Sequence, residues 1–217
     1  MPPFEPVTQE RSTGGSTDQN GADTSSPSAP DPGESPAFEG LAIIPTKIAP
    51  ATPGRAVLTR QRLIDWLDDH IHARLVLVTA EAGYGKSTLL NDYATQSGRR
   101  ALWYRLEPSD RDWVTFLSYL FAAFRTIRPG FGQGTEAMLS SGTARSMGQE
   151  EVSSQLLADL GSTDFEAVDL ILDDYHLVQE SQDVRTAIGR LLELGPTGLR
   201  VIIAGRGRPN LTVGRLY

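Results

Sequence analysis

Leu75-Val-Leu-Val-Thr-Ala-Glu-Ala-Gly-Tyr-Gly-Lys-Ser-Thr88 decides the fold. Its first six residues form a short continuous apolar run, the mark of a strand buried on both faces. Gly83 and Gly85 punctuate a loop. From Lys86 the pattern turns helical, with Leu89, Leu90, Tyr93 and Ala94 inward and Gly98 as a stop. Residues 80–87 nearly match the phosphate-loop pattern Gly-x4-Gly-Lys-[Ser/Thr], with Ala80 in the first glycine position. Backbone N–H groups of residues 83–88 would point into one concavity, and the helix start adds its positive dipole end. Lys86 would reach the outer phosphates and the Ser87 hydroxyl would bind Mg²⁺. The plainer alternative is a glycine turn with a solvent-exposed lysine.

Outward from this stretch, strands alternate with helices. Thr59 is a plausible N-cap for a helix over 60–72, carrying Leu63, Ile64, Leu67 and Ile71. Strands are expected at 101–106, 168–172 and 199–204. Trp113, Phe116, Leu117, Leu120, Phe121 and Phe124 follow the spacing of a core-facing helix, ended by Pro129-Gly130. Residues 130–148 read as a mobile Gly- and Ser-rich loop, followed by helices over 149–160 and 181–194. The order implies an α/β fold: a three-layer α/β/α sandwich on a mostly parallel sheet.

Val168-Asp-Leu-Ile-Leu-Asp173-Asp174 ends a buried strand on two carboxylates, where ligands of parallel sheets bind. Asp173 is assigned to support Mg²⁺ and Asp174 to polarise an attacking water. Arg206, just past the fourth strand, is placed to touch the terminal phosphate; an exposed loop arginine is the alternative. His176 reads as a hydrogen-bonded loop histidine. His70 and His72 are two apart on a helix and do not share a face.

Composition narrows the function classes. The 217 residues carry a net charge of −7. Residues 1–40 hold seven acids, one base and seven of the 14 prolines, which reads as a disordered acidic tail. The remainder, 19 basic and 20 acidic residues, is nearly neutral and offers no broad nucleic-acid surface. Leu41–Pro50 reads as an extended apolar arm. The absence of cysteine removes thiol catalysis, disulfides and Cys-based zinc sites. No apolar run reaches bilayer length and the N-terminus does not resemble a secretory signal, so a cytoplasmic location is expected.

These residues resemble the nucleotide-binding module of STAND-class P-loop ATPases, specifically the large ATP-binding regulators of the LuxR family. The resemblance is carried by Ile44-Pro-Thr-Lys47, Val57-Leu-Thr-Arg60-Gln-Arg-Leu63, Ala82-Gly-Tyr-Gly-Lys-Ser-Thr88, Trp103-Tyr-Arg-Leu106, Leu172-Asp-Asp-Tyr-His-Leu177, Arg206 and Pro209. It covers about residues 43–215, and a small residue at position 80 is usual in the group. The resemblance implies that Val57, Leu58 and Arg60 contact adenine and that Ala82, Gly83, Tyr84, Gly85, Lys86, Ser87 and Thr88 wrap the phosphates. It further implies a sensor role for Arg206, and ATP with Mg²⁺ as the ligand of a regulatory switch that slow hydrolysis resets.

Family members continue into a fifth strand, a winged-helix lid, a helical sensor region and a DNA-binding helix-turn-helix. The sequence stops at Tyr217, before all of these, as a truncated product, a fragment or a stand-alone module. An open nucleotide pocket and one uncovered sheet edge are expected, with self-association or contacts to regulatory domains as partners. A small-molecule phosphotransferase and a non-catalytic interaction remnant are the alternative functions. The first needs arginines in a lid, and 130–148 offers only Arg145.

Overall fold

The computed structural model describes residues 42–50 and 58–211, apart from 142 and 164. The expected tail at 1–40 lies outside these residues.

Four parallel strands form one sheet: β1 (Leu75–Thr79), β2 (Arg100–Arg105), β3 (Val168–Asp173) and β4 (Leu199–Gly205), in the order β1-β4-β3-β2. Successive side chains of a strand face opposite sides of a sheet. Here Leu170, Leu172, Val201 and Ile203 enter one apolar layer, and Ile171, Ile202 and Ala204 enter the other. Helices α1 (Gln61–Asp69) and α2 (Lys86–Gln96) cover the second layer. The first is covered by α3 (Trp113–Arg125), α4 (Gln133–Ser140), α5 (Thr143–Met147), α6 (Gln149–Gly161) and α7 (Gln182–Leu194). The expected three-layer α/β/α sandwich is what forms.

β3 and β4 are buried along their whole length, including the Asp169, Asp173 and Arg200 that interrupt their apolar sequences. β1 differs from expectation. It is an edge strand among the described residues, so its alternation is uneven and Leu77 remains 41% exposed.

Residues 130–148 are not the expected loop. Phe131, Thr135 and Leu139 recur every four residues and point inward along the start and body of α4. Phe131 stacks on Phe121, packs against Phe124 and meets Phe165 edge-on. Thr135 Oγ1 donates to Asp159 at 2.6 Å, and Arg125 pairs with Glu136 at 2.6 Å. Gly132 enters α4 at φ +65°, where a Cβ would lie 2.4 Å from the Phe121 ring. The glycine that suggests a loop is there for close approach.

Two smaller expectations also change. Arg60, not Thr59, occupies the N-cap of α1, with no side-chain cap. The apolar arm is not simply extended: Pro45–Lys47 is a 3₁₀ turn, and Ile43 and Ile48 pack on the first layer.

Candidate functional site

Parallel strands aim all their C-termini at one sheet end, and the site is built there. β1 runs into the loop at 80–85. Gly83 and Gly85 take φ of +79° and +74°, left-handed values that would strain a side-chain-bearing residue. Gly85 is the N-cap of α2, so the first N–H groups of that helix open onto the loop. Ala82, Gly83 and Tyr84 are exposed. Lys86 donates through Nζ to the carbonyls of Ala80 at 2.7 Å and Glu81 at 3.0 Å, which holds the ammonium over the loop.

The acidic strand end meets this loop. The Ser87 hydroxyl donates to Asp173 Oδ2 at 2.6 Å, although 86 residues separate them. Asp173 is buried, and its other oxygen accepts the Asp174 N–H at 3.0 Å. Burial raises the Asp173 pKa above the ordinary carboxylate value; the Ser87 hydrogen bond opposes this and the Asp174 charge adds to it. Asp174 turns the chain at φ +59°, leaving its carboxylate 40% exposed. A hydroxyl and a carboxylate in mutual contact are hard oxygen donors. They fit Mg²⁺, which prefers few protein ligands and keeps several waters. No group of three or more His, Asp or Glu suits a metal among the described residues.

Arg206 follows directly on Gly205, whose carbonyl accepts the Ala80 N–H at 3.3 Å. The start of the loop and the start of the arginine segment are therefore stitched together. Arg206 is exposed and borders a narrow crevice with Thr79, Tyr175 and His176. Gly205 packs on the Tyr175–His176 turn; its Cβ would lie 3.4 Å from the His176 nitrogen. His176 is not the satisfied loop histidine expected. Its buried Nδ1 makes no hydrogen bond and stands 3.9 Å from Asp174 Oδ1.

On the flank of α2, Leu58 and Arg60 border a cleft of about 180 Å³ with Gly85, Thr88, Leu89 and Asp92. Leu58 is 86% exposed there, an apolar side chain offered to solvent beside a polar loop. Val57 lies outside the described residues. Asp92 was not picked out from sequence; it stands four residues after Thr88, so the two share a helix face. Lys47 belongs to the Ile44-Pro-Thr-Lys47 string that carries the resemblance. Its Nζ is buried between the two oxygens of Asp110, 4.1 Å from the Tyr119 ring centre. A lysine inside an apolar run was the available signal.

Loop, acidic strand end, arginine segment and cleft thus share one end of the sheet. Residues 69–209 match the AAA domain family. The chain is 31% identical over 174 residues to serine/threonine-protein kinase PknK of Mycobacterium tuberculosis, which covers 79% of this chain and 15% of that protein. It is 29% identical over 175 residues to the HTH-type transcriptional regulator MalT of Klebsiella pneumoniae, covering 80% and 19% respectively. The same regulator of Yersinia pestis is 30% identical over 174 residues, again covering 80% and 19%. The chain therefore spans less than a fifth of the length of these relatives. With a phosphate-loop strand and helix, an acidic strand end and that match over most of its length, the chain belongs to the AAA domain family of P-loop proteins.

Proposed function

We propose that the chain is an ATP-binding switch module of the STAND class, of the kind found in LuxR-family transcriptional regulators. The single observation that supports this most is the 2.6 Å contact between Ser87 and Asp173, which joins the phosphate loop to the acidic strand end. In this reading residues 82–88 enclose the triphosphate, with Lys86 on the outer phosphates. Ser87 and Asp173 would hold Mg²⁺, which would neutralise phosphate charge. Leu58 and Arg60 border the base. Asp174, partly exposed, orients a water toward the terminal phosphorus, and Arg206 registers whether that phosphate is present. Hydrolysis, releasing ADP and phosphate, is slow and resets the switch.

The similarity to MalT, a transcriptional regulator by name, favours regulation over metabolism as the setting. Self-association and contacts with regulatory domains are the partners this reading calls for, in the cytoplasm, with residues 1–40 as a tail outside the nucleotide-binding domain. No helix among the described residues is long and apolar enough to cross a membrane.

Thermal unfolding with and without Mg·ATP tests the reading. A ligand bound only by the folded state raises the melting temperature, by about 2.7 kcal/mol of stability at a hundredfold excess over Kd. Lys86→Ala should abolish the shift. A well-folded wild-type chain that binds neither ATP nor ADP in calorimetry overturns it.

A further inference from the structure

Helix α1 is charged against its own dipole. Arg60 and Arg62 stand at its start, and Asp65, Asp68 and Asp69 lie toward its end. Both ends therefore carry the sign that the macrodipole disfavours. The helix is nine residues long and fully buries only Ile64 and Leu67. Such a segment does not hold itself helical in water. At its C-terminal end the His70 Nδ1 lies 2.7 Å from the Trp66 carbonyl, and the carbonyls beyond need a partner from elsewhere in the fold.

Arg200, on β4, is that partner. Its Nη1 donates to the carbonyls of Leu67 at 2.9 Å and His70 at 3.1 Å. The Leu67 carbonyl is among those a helix end leaves unpaired, the His70 carbonyl also accepts the Ala73 N–H at 3.1 Å, and the guanidinium supplies the positive charge that the sequence of α1 lacks there. The same side chain is itself clamped. Its Nε and Nη2 donate to the two oxygens of Asp169 at 3.0 and 2.6 Å, and Nη2 also donates to the Tyr93 hydroxyl. Tyr93 and Arg99 fill the remaining positions on Asp169, at 3.0 and 2.8 Å. Asp169, Tyr93 and Arg200 are all essentially inaccessible to solvent.

Apolar contact is non-directional, so the packing of Ile64 and Leu67 sets the position of α1 less sharply than directional bonds do. Arg200 adds such bonds from a guanidinium itself held by three hydrogen bonds to Asp169 and Tyr93. A buried ionic cluster is seldom the most stabilising way to fill such a space; its best-attested use is to set register. The register matters at the other end of α1. Arg60 heads the helix, and its guanidinium lies 3.5 Å from where a Gly85 Cβ would stand, inside the cleft beside the phosphate loop. Moving along α1 from Leu67 to Arg60 covers about 10 Å of rigid helix.

We propose that Arg200 is a positioning residue for Arg60: by holding the last carbonyls of α1, it sets where the head of that helix stands against the nucleotide. The inference rests on reading residues 82–88 as a triphosphate loop. It names a residue outside that loop that determines how well the nucleoside half of the ligand is held, as distinct from its phosphates.

The test is calorimetry with Mg·ATP and with Mg·tripolyphosphate, which lacks the nucleoside. The proteins are wild type, Arg60→Ala, Arg200→Lys and the double variant. Arg200→Lys retains a charge for Asp169, but three donors on one nitrogen cannot replace the five hydrogen bonds that the guanidinium spreads over Asp169, Tyr93 and the two α1 carbonyls. It should weaken ATP about tenfold and leave tripolyphosphate within about twofold. The double variant should bind ATP no more weakly than Arg60→Ala, since both changes act through one group. Amide exchange of residues 67–73 should accelerate in Arg200→Lys without nucleotide. Wild-type affinity for ATP in Arg200→Lys, equal losses for both ligands, or additive losses in the double variant each overturn the proposal. Wild type binding neither ligand overturns the loop reading, and this inference with it. Should Arg200→Lys not fold, Tyr93→Phe, which removes one anchor of the guanidinium, should show the same split at about threefold; its absence there is equally decisive against.

Discussion

Lys47 and Asp110 lie 63 residues apart in sequence and meet in the interior, the ammonium 2.7 and 2.9 Å from the two carboxylate oxygens. Asp110 is wholly buried and also accepts the Glu107 N–H at 2.7 Å. The pair pins the 42–50 arm beside the end of β2, and the Ile44 N–H adds a 3.3 Å bond to the Tyr119 hydroxyl. Asp110 also adds, after burial itself, to the rise of the neighbouring Tyr104 hydroxyl well above its ordinary pKa.

Removing one partner of such a pair leaves a charge buried and unpaired, which typically costs about 3–5 kcal/mol. Lys47→Ala should therefore destabilise the fold by about that amount in urea unfolding. Lys47→Ala combined with Asp110→Ala should recover part of the loss. An effect below 0.5 kcal/mol would mean that the arm is not held in solution.

Asp173 gives stability a pH dependence of unusual sign for an aspartate. Burial, the largest influence, together with the Asp174 charge, raises its folded pKa above the unfolded one. A raised pKa means that the protonated form favours folding, so the contribution is fully present below the unfolded value. It is lost as pH rises through the folded value. The urea midpoint of wild type relative to Asp173→Asn should accordingly fall as pH is raised across the carboxylate range. A difference that stays flat or moves the other way would refute this account of the site's electrostatics.

Arg206 is exposed, and a surface change of this kind usually alters stability by no more than about 0.5 kcal/mol. Arg206→Ala should leave the melting temperature without nucleotide unchanged. If it senses the terminal phosphate, it should bring the affinities for ATP and ADP to within about twofold of each other. Calorimetry with both nucleotides decides this; a preference that survives the substitution removes Arg206 from the sensor role.

Gly85 heads α2 at φ +74°. Gly85→Ala forces a left-handed alanine, at roughly 1–2 kcal/mol. It also sets a methyl 3.5 Å from the Arg60 guanidinium, an ordinary contact that needs no rearrangement. The cost should therefore appear in thermal unfolding as strain alone. A loss above about 3 kcal/mol would mean that the loop tolerates less than its spacing suggests.

Much of this architecture is legible from residue order because its signals are local. The apolar runs at 168–172 and 199–204 become strands because both faces of the sheet are covered, so no alternation is needed. Ser87 and Asp173 could be paired in advance because parallel strands deliver their ends to one side. The features that escaped depend on distant partners. Gly132 looks like loop punctuation until the Phe121 ring is known to lie against it. Lys47 sits in what reads as an extended apolar arm, and nothing near it in sequence points to Asp110 as its partner. Arg200 lies within a run that reads as a plain apolar strand, and only its register opposite Asp169 explains a charge there.

The capping of α1 by Arg200 also bears on how the chain acquires its structure. The contact spans 133 residues, and contacts of large sequence separation form late because loop closure must come first. A helix with adverse end charges and little apolar contact cannot precede them. We expect α1 to gain stable structure only after β4 has joined the sheet, although α1 is made first. In pulse-labelled refolding its amides should gain protection after those of β3, and protection of α1 ahead of the sheet would contradict this order.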